Sequence, residues 1–272
     1  MSIVVDVVMP VYNAAPYLIG AIESILHQTW EDFNFIIVDD GSIDGSWDIL
    51  ERYAKIDPRI VLLHHKKNYG ISRTRNDWFA HSKAKYIIQM DADDISHPQR
   101  IAKQVAFMEQ HPHVGVCGCS LRCIDESGAA VREKIYPTTD NIIRKYLFLL
   151  NPIPQTWVIV RKEAFQKAWW YDLDYVVTED LQFWFAIGRY SALANLNEIL
   201  VDYRVYPHNS SHKKIEEMIQ NTIKARRQAI KEFGYTPSRL WYILLYTLFI
   251  FRFLPAKTAH RLFYFFRPLM VK

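Results

Sequence analysis

The sequence is short of cysteine, of glycine and of any long apolar run. Its three cysteines, Cys117, Cys119 and Cys123, are an odd number in one cluster, which does not suit a disulfide framework and fits a reducing interior. Cys117 and Cys119 alternate along the apolar run Val114–Cys119, which reads as a strand with both thiols on one face. His111 and His113 lie close by, so zinc is the alternative there, and buried free thiols are the commoner outcome. Only nine of 272 residues are Gly while half are hydrophobic, a composition that excludes disorder and allows a sizeable core. The N-terminus has no basic leader and no small-residue cleavage site, and Ile3–Met9, with Asp6 inside it, reads as a strand. The apolar run Leu240–Phe251 stops at Arg252, short of the roughly twenty residues that cross a bilayer. No internal repeat or low-complexity tract is present.

Charge is unevenly spread. Residues 213–272 hold 12 Lys and Arg against 3 Asp and Glu, so with a net charge of +4 the first 212 carry −5. The basic excess is interleaved with aromatics, as in Arg261, Leu262, Phe263, Tyr264, Phe265, Phe266 and Arg267. That pattern suits a helix lying in the headgroup layer of a membrane; the plainer alternative is a C-terminal helix packed on the domain's own core. An acidic body with a short basic tail argues against nucleic acid as a partner.

Short β-type runs alternate with amphipathic stretches through the first half. Ile3–Met9, Phe35–Val38, Ile60–Leu63 and Tyr86–Met90 read as strands, and Pro16–Gln28, Ser46–Ile56 and Gly70–His81 as helices. This alternation predicts an α/β fold with a mostly parallel central sheet flanked by helices. The second half is less regular. Pro98–Gln110 and Asp180–Arg189 look helical, Val114–Leu121 and Trp157–Val160 look like strands, and Asn151-Pro152-Ile153-Pro154 marks a loop.

Three polar clusters follow strands: Pro10-Val11-Tyr12-Asn13, Asp39-Asp40-Gly41-Ser42 and Asp91-Ala92-Asp93-Asp94. Open parallel sheets bind ligands beyond the carboxyl ends of their strands, and parallel pairing would gather these clusters there. Each alone is a turn more often than a site. Together, carboxylates converging on one crevice repel unless a cation compensates. All the ligands are oxygens, which favours Mg²⁺ or Mn²⁺ bridging two phosphates of a bound diphosphate. Tyr12 offers a flat face for a base, and Asp39 or Asp40 an acceptor for a base N–H or a ribose hydroxyl.

These clusters, with Gly70–Asn76, Thr178-Glu179-Asp180-Leu181-Gln182-Phe183-Trp184 and Asp202-Tyr203-Arg204-Val205, closely resemble the inverting GT-A glycosyltransferases of family 2 over residues 3 to 212. The resemblance implies a GT-A domain over 1–212, with a nucleotide-sugar-binding half (1–97), an acceptor-binding half (98–212) and a helical tail at 213–272. It implies that Pro10 and Tyr12 line the base pocket, with Asp40 on the base and Arg75 nearby. Asp91 and Asp93 would be the DxD acids, Asp93 the likelier direct metal ligand, and Asp180 the general base. Glu179 and Trp184 would shape the acceptor side. The donor would be a UDP-sugar and the acceptor a glycan or lipid-linked glycan of a bacterial surface polysaccharide or lipopolysaccharide. The protein would be cytoplasmic and peripheral on the inner face of the membrane. The chain departs from the family pattern at Arg73, Trp78, Ala84 and Lys85, and Tyr206-Pro207-His208 leaves open whether His208 or His212 contacts the metal or diphosphate.

Other readings fare less well. Asp180 also suits a helix N-terminus capped by Thr178, a role compatible with catalysis. A phosphatase of the Asp-x-Asp-Gly-Ser/Thr type would need an Asp at Val38, and a nucleotidyltransferase a Gly-rich loop after the first strand. A catalytically inactive membrane-docked scaffold would not require the full set of acids.

Overall fold

The structure, a computed structural model, describes residues 5–168, 171, 172, 174, 175, 178–206 and 215–237. Expectations for His208, His212 and the tail beyond residue 237 fall outside the described residues. The elements run β1 (Val5–Val11), α1 (Ala15–Leu26), β2 (Phe33–Asp39), α2 (Ser46–Ile56), β3 (Ile60–His64), α3 (Ile71–His81) and β4 (Tyr86–Gln89). They continue with β5 (Ile95–Ser96), α4 (Arg100–Gln110), β6 (Val114–Ile124), β7 (Ala130–Lys134), α5 (Asp140–Leu147) and a 3-10 turn, Gln155–Trp157. Last come β8 (Ile159–Arg161), α6 (Lys162–Ala168), α7 (Glu179–Ile187), β9 (Ala192–Arg204) and α8 (Ile215–Lys231).

One sheet holds the strands in the order β3-β2-β1-β4-β8-β6-β9-β5, with β7 paired to β6. The first four are parallel, as the βα alternation requires. β8 runs antiparallel to both β4 and β6, β9 runs parallel to β6, and β5 and β7 oppose their partners. Six strands therefore share a direction, and the sheet is continuous across residue 97.

Period-two alternation divides the core between the sheet's faces. Val8, Ile36, Val38, Ile87 and Val160 face α3, α6, α7 and α8, where Trp78, Phe165, Phe183 and Trp184 pack. Val7, Met9, Phe35, Ile37 and Ile88 face α1, α2 and α4. In α1 the buried residues Leu18, Ala21, Ile22 and Ile25 repeat at i, i+3, i+4 and i+7, the stripe a helix on a sheet needs. Cys117, Cys119 and Cys123 are buried and free, and burial raises the Cys117 and Cys119 thiols. Among the described residues they join no cluster of three or more potential metal ligands.

Candidate active site

β1, β2 and β4 lie side by side, so the three polar clusters open on one edge. Asp40 N donates to Val11 O at 2.8 Å and Met90 N to Val8 O at 3.0 Å, carrying the sheet's pairing into the loops. The β1–α1 and β2–α2 loops are tied together: Asn13 N donates to Ser42 Oγ at 3.0 Å, Ile43 N to Asn13 Oδ1 at 2.9 Å and Ala15 N to Asp44 Oδ2 at 3.0 Å. Ala14 N donates to Ser46 Oγ at 3.0 Å, so a neighbouring loop satisfies the orphan donors of α1, which has no side-chain cap of its own. Gly41 is required here: its φ is +75°, and a Cβ would come within 2.7 Å of the Lys67 backbone. Pro10 is partly buried, and Tyr12 keeps 50% of its surface exposed, leaving its ring free to receive a planar group.

The two adjacent aspartates at the end of β2 do different things. Asp39 is fully buried; its Oδ2 accepts from Ser42 N (3.1 Å) and from the His64 ring (3.0 Å), and its Oδ1 has no partner among the described residues. Asp40 accepts Tyr69 N at 3.0 Å and the His65 ring at 2.7 Å on Oδ1, and Gly70 N at 2.9 Å on Oδ2. Asp40 thereby holds the start of α3, the helix that carries Arg75.

Arg75 is buried and spans the cleft. It donates to Glu179 at the start of α7, and its Nη2 lies 3.9 Å from Asp91 Oδ1 beyond β4. Its ion pairs are thus with Glu179 and Asp91. Burial opposes the Arg75 charge, yet Glu179 first, and Asp91 to a lesser degree, hold its pKa above the usual value.

Asp91, Asp93 and Asp94 each bring a carboxylate oxygen within 4.8 Å of the others. Burial pushes Asp91 up to about 7 against the pull of Arg75, raises Asp93 despite its Tyr206 partner, and raises Asp94 further with both neighbours adding repulsion. Asp94 is closed off: Oδ1 accepts Arg204 N at 2.9 Å and Oδ2 accepts Trp157 Nε1 at 3.0 Å, pinning the acid loop to β9 and the 3-10 turn. Asp93 Oδ2 accepts the Tyr206 hydroxyl at 2.8 Å. Beneath the loop, Arg100 is fully buried and donates to Gln89 O at 2.6 Å. Its burial lowers its pKa to about 10. An all-oxygen set of crowded, desolvated carboxylates fits a hard divalent cation, with Asp91 and Asp93 as the acids left to hold it.

Across from this cluster, α7 starts at Glu179 after Thr178, whose φ of +68° is unusual for a β-branched residue. Asp180 Oδ1 accepts Leu181 N at 2.7 Å and its Oδ2 accepts Asn151 Nδ2 at 2.5 Å. Burial and then the Glu179 charge push the Asp180 carboxyl up to about 7, while the Leu181 amide, Arg75 and Asn151 hold it back. The structure therefore links Asp91, Arg75, Glu179 and Asp180 in one run, with Asp93 beside Asp91 and Asp40 holding the start of the helix that carries Arg75.

Trp184 requires a correction. It is fully buried and its indole Nε1 donates to Ile153 O at 2.7 Å, so it offers no face to an acceptor. α7 is buried nearly all round, and its periodicity gives no hint of which side meets the cleft. Residues that sequence reasoning passed over include Asp94 as an anchor, Tyr206 on Asp93, Arg100 below the acids and Asn151 on Asp180. Asn151 had a signal, since it opens the Pro-rich loop 151–154; Arg100 had none beyond its place in a helix.

Acids beyond two parallel strands that flank a third, a carboxylate on a helix start and a bridging arginine are the architecture of a GT-A glycosyltransferase. The chain belongs to glycosyl transferase family 2, whose sequence model matches residues 6–169. It is 32% identical over 235 residues to an uncharacterized glycosyltransferase of Haemophilus influenzae, covering 83% of this chain and 73% of that protein. It is 28% identical to the amylovoran biosynthesis glycosyltransferase AmsE of Erwinia amylovora, covering 82% of this chain and 84% of AmsE. Among solved structures it resembles residues 1–349 of S. aureus TarS bound to UDP (TM-score 0.67, 17% identity, covering 84% of this chain and 65% of that one). It also resembles the mannosyltransferase PcManGT from Pyrobaculum calidifontis with GDP-Man and Mn²⁺ (TM-score 0.65, 17% identity, 94% and 71% covered). At such identities the structural likeness speaks for the fold alone.

Proposed function

We propose that the protein transfers a sugar from a nucleotide-sugar donor, a UDP-sugar by the resemblance, to an acceptor hydroxyl in one inverting displacement. The observation that carries this reading is Asp180, a carboxyl raised to about 7 and joined through Glu179 and Arg75 to the acid cluster at Asp91. A hydroxyl is a poor nucleophile at its own pKa, and a base poised near neutral pH takes its proton during attack. A carboxylate has about four acceptor positions, and protein donors fill three of those on Asp40, leaving one on Oδ2 for a base N–H. Tyr12 stacks on the base beside it, and Pro10 walls the pocket. Asp91 and Asp93 would hold Mn²⁺ or Mg²⁺, which when bound neutralises charge on the departing diphosphate. Arg75 lies within the same charge system and steadies Glu179 against the acceptor side.

The relatives include a protein named for amylovoran biosynthesis, which supports a surface polysaccharide or a lipid-linked glycan as the acceptor. Among the described residues no helix is long and apolar enough to cross a membrane. The basic, aromatic segment after residue 237 supports peripheral docking on the inner face of the cytoplasmic membrane.

The test is Asp180→Asn, assayed by nucleotide release from a panel of nucleotide-sugars with Mn²⁺. kcat falls about a thousandfold while the donor's KM stays within about twofold. Retained turnover in Asp180→Asn overturns the assignment of the base.

A further inference from the structure

The carboxyl of Asp180 sits on the first turn of a helix, where a side chain has several rotamers open to it, yet its orientation is fixed from outside. Asn151, 29 residues earlier in the chain, donates Nδ2 to Asp180 Oδ2 at 2.5 Å. Its other amide atom, Oδ1, accepts Ile153 N at 3.3 Å. A backbone N–H only donates and an ionised carboxylate only accepts, so these two partners leave the Asn151 amide one orientation. The loop that carries it is itself clamped. Trp184 Nε1 donates to Ile153 O at 2.7 Å, and Asn195 Nδ2 donates to Pro152 O at 3.0 Å and to Pro137 O at 2.7 Å. Trp184 lies one turn beyond Asp180 on α7, so the helix grips the loop with one residue and the loop grips the helix with another.

Resting on the assignment of Asp180 as the base, we propose that Asn151 is its positioning residue, with Trp184 and Asn195 holding the Asn151 loop in register. Asn151 keeps one carboxylate oxygen engaged and leaves the remaining acceptor positions of Asp180 to the incoming hydroxyl. The charged groups that face Asp180 are Glu179 on its own helix, Arg75 from α3 and, through its phenol, Tyr171. Besides the Leu181 amide of its own helix, Asn151 is an uncharged side-chain donor to Asp180, and it favours the ionised form.

The experiment needs no substrate. Full-length protein labelled with ¹³C at its Asp carboxyls is titrated by NMR, the Asp180 signal being assigned by its loss in Asp180→Asn. In Asn151→Ala the Asp180 midpoint moves to higher pH by about half to one unit, the worth of one lost hydrogen bond to the charged form. Trp184→Phe keeps an aromatic ring, smaller than the indole, and removes the N–H, and shifts the midpoint the same way by less. It also serves if Asn151→Ala does not fold. An unmoved midpoint in a folded Asn151→Ala overturns the proposal, as does a move to lower pH. The base assignment is judged separately: a dead Asp180→Asn beside an unmoved midpoint removes only the role of Asn151.

Discussion

Asp40, at the end of β2 on the parallel side of the sheet, and Asp180, on the first turn of α7, are held differently. Asp40 is locked by three donors, two of them backbone amides of the loop it closes. Asp180 has its own neighbour's amide and Asn151, with the like charge of Glu179 next in sequence. A carboxylate held by several donors keeps its geometry, which suits recognition of a fixed ligand. One that is desolvated and pressed by a like charge exchanges its proton near neutral pH, which suits chemistry. On the proposed assignment, the number of donors each acid receives sets Asp40, on the nucleotide side, apart from Asp180, the reacting carboxyl.

The contrast breaks most visibly in pH dependence. As the proposed base, Asp180 would act ionised, and with its carboxyl raised to about 7 activity is expected to be lost as pH falls through that value. From pH 7 to pH 5 kcat drops about fiftyfold in a stopped assay of nucleotide release, since about half of the carboxyl is ionised at pH 7 and about one part in a hundred at pH 5. A flat profile over that range would overturn Asp180 as the base. A smaller effect falls on the binding side. Asp40→Ala removes three hydrogen bonds and the last acceptor position, and raises the donor's KM about tenfold or more with a lesser change in kcat. Should kcat carry the loss instead, the division between binding and reaction fails. The smallest effect is structural. Asp44 bonds Ala15 N at the start of α1 and Ser46 in its own loop, so Asp44→Ala costs about 1 kcal/mol in urea unfolding and leaves kcat at 25 °C near that of the parent.

The parallel half of the sheet and the half around β8 differ in how far the chain announces them. β1, β2 and β4 are continuous apolar runs that stop at polar clusters, a pattern strands buried on both faces produce, and their convergence follows from parallel pairing alone. β9 is thirteen residues long but carries Asn195, Asn197, Glu198 and Asp202, so no alternation marks it. Its inner Asn195 is buried with partners from two distant loops, which no local pattern reveals. β7 is an edge strand with Arg132 and Glu133 exposed, so no apolar alternation marks it. The acids were legible as candidates. Which of them are spent on structure was not, because Asp94 is occupied by Arg204 and Trp157, more than 60 residues away in each case.

The account rests on Asp91 and Asp93 binding a divalent ion in a cleft that Asp180 faces without touching the ion. The direct measurement is Mn²⁺ electron paramagnetic resonance of the full chain with UDP, and with GDP in parallel. The free-Mn²⁺ signal is quenched by the parent and by Asp180→Asn, and persists with Asp91→Asn and Asp93→Asn. Quenching by both DxD variants, or loss of quenching in Asp180→Asn, would contradict the arrangement.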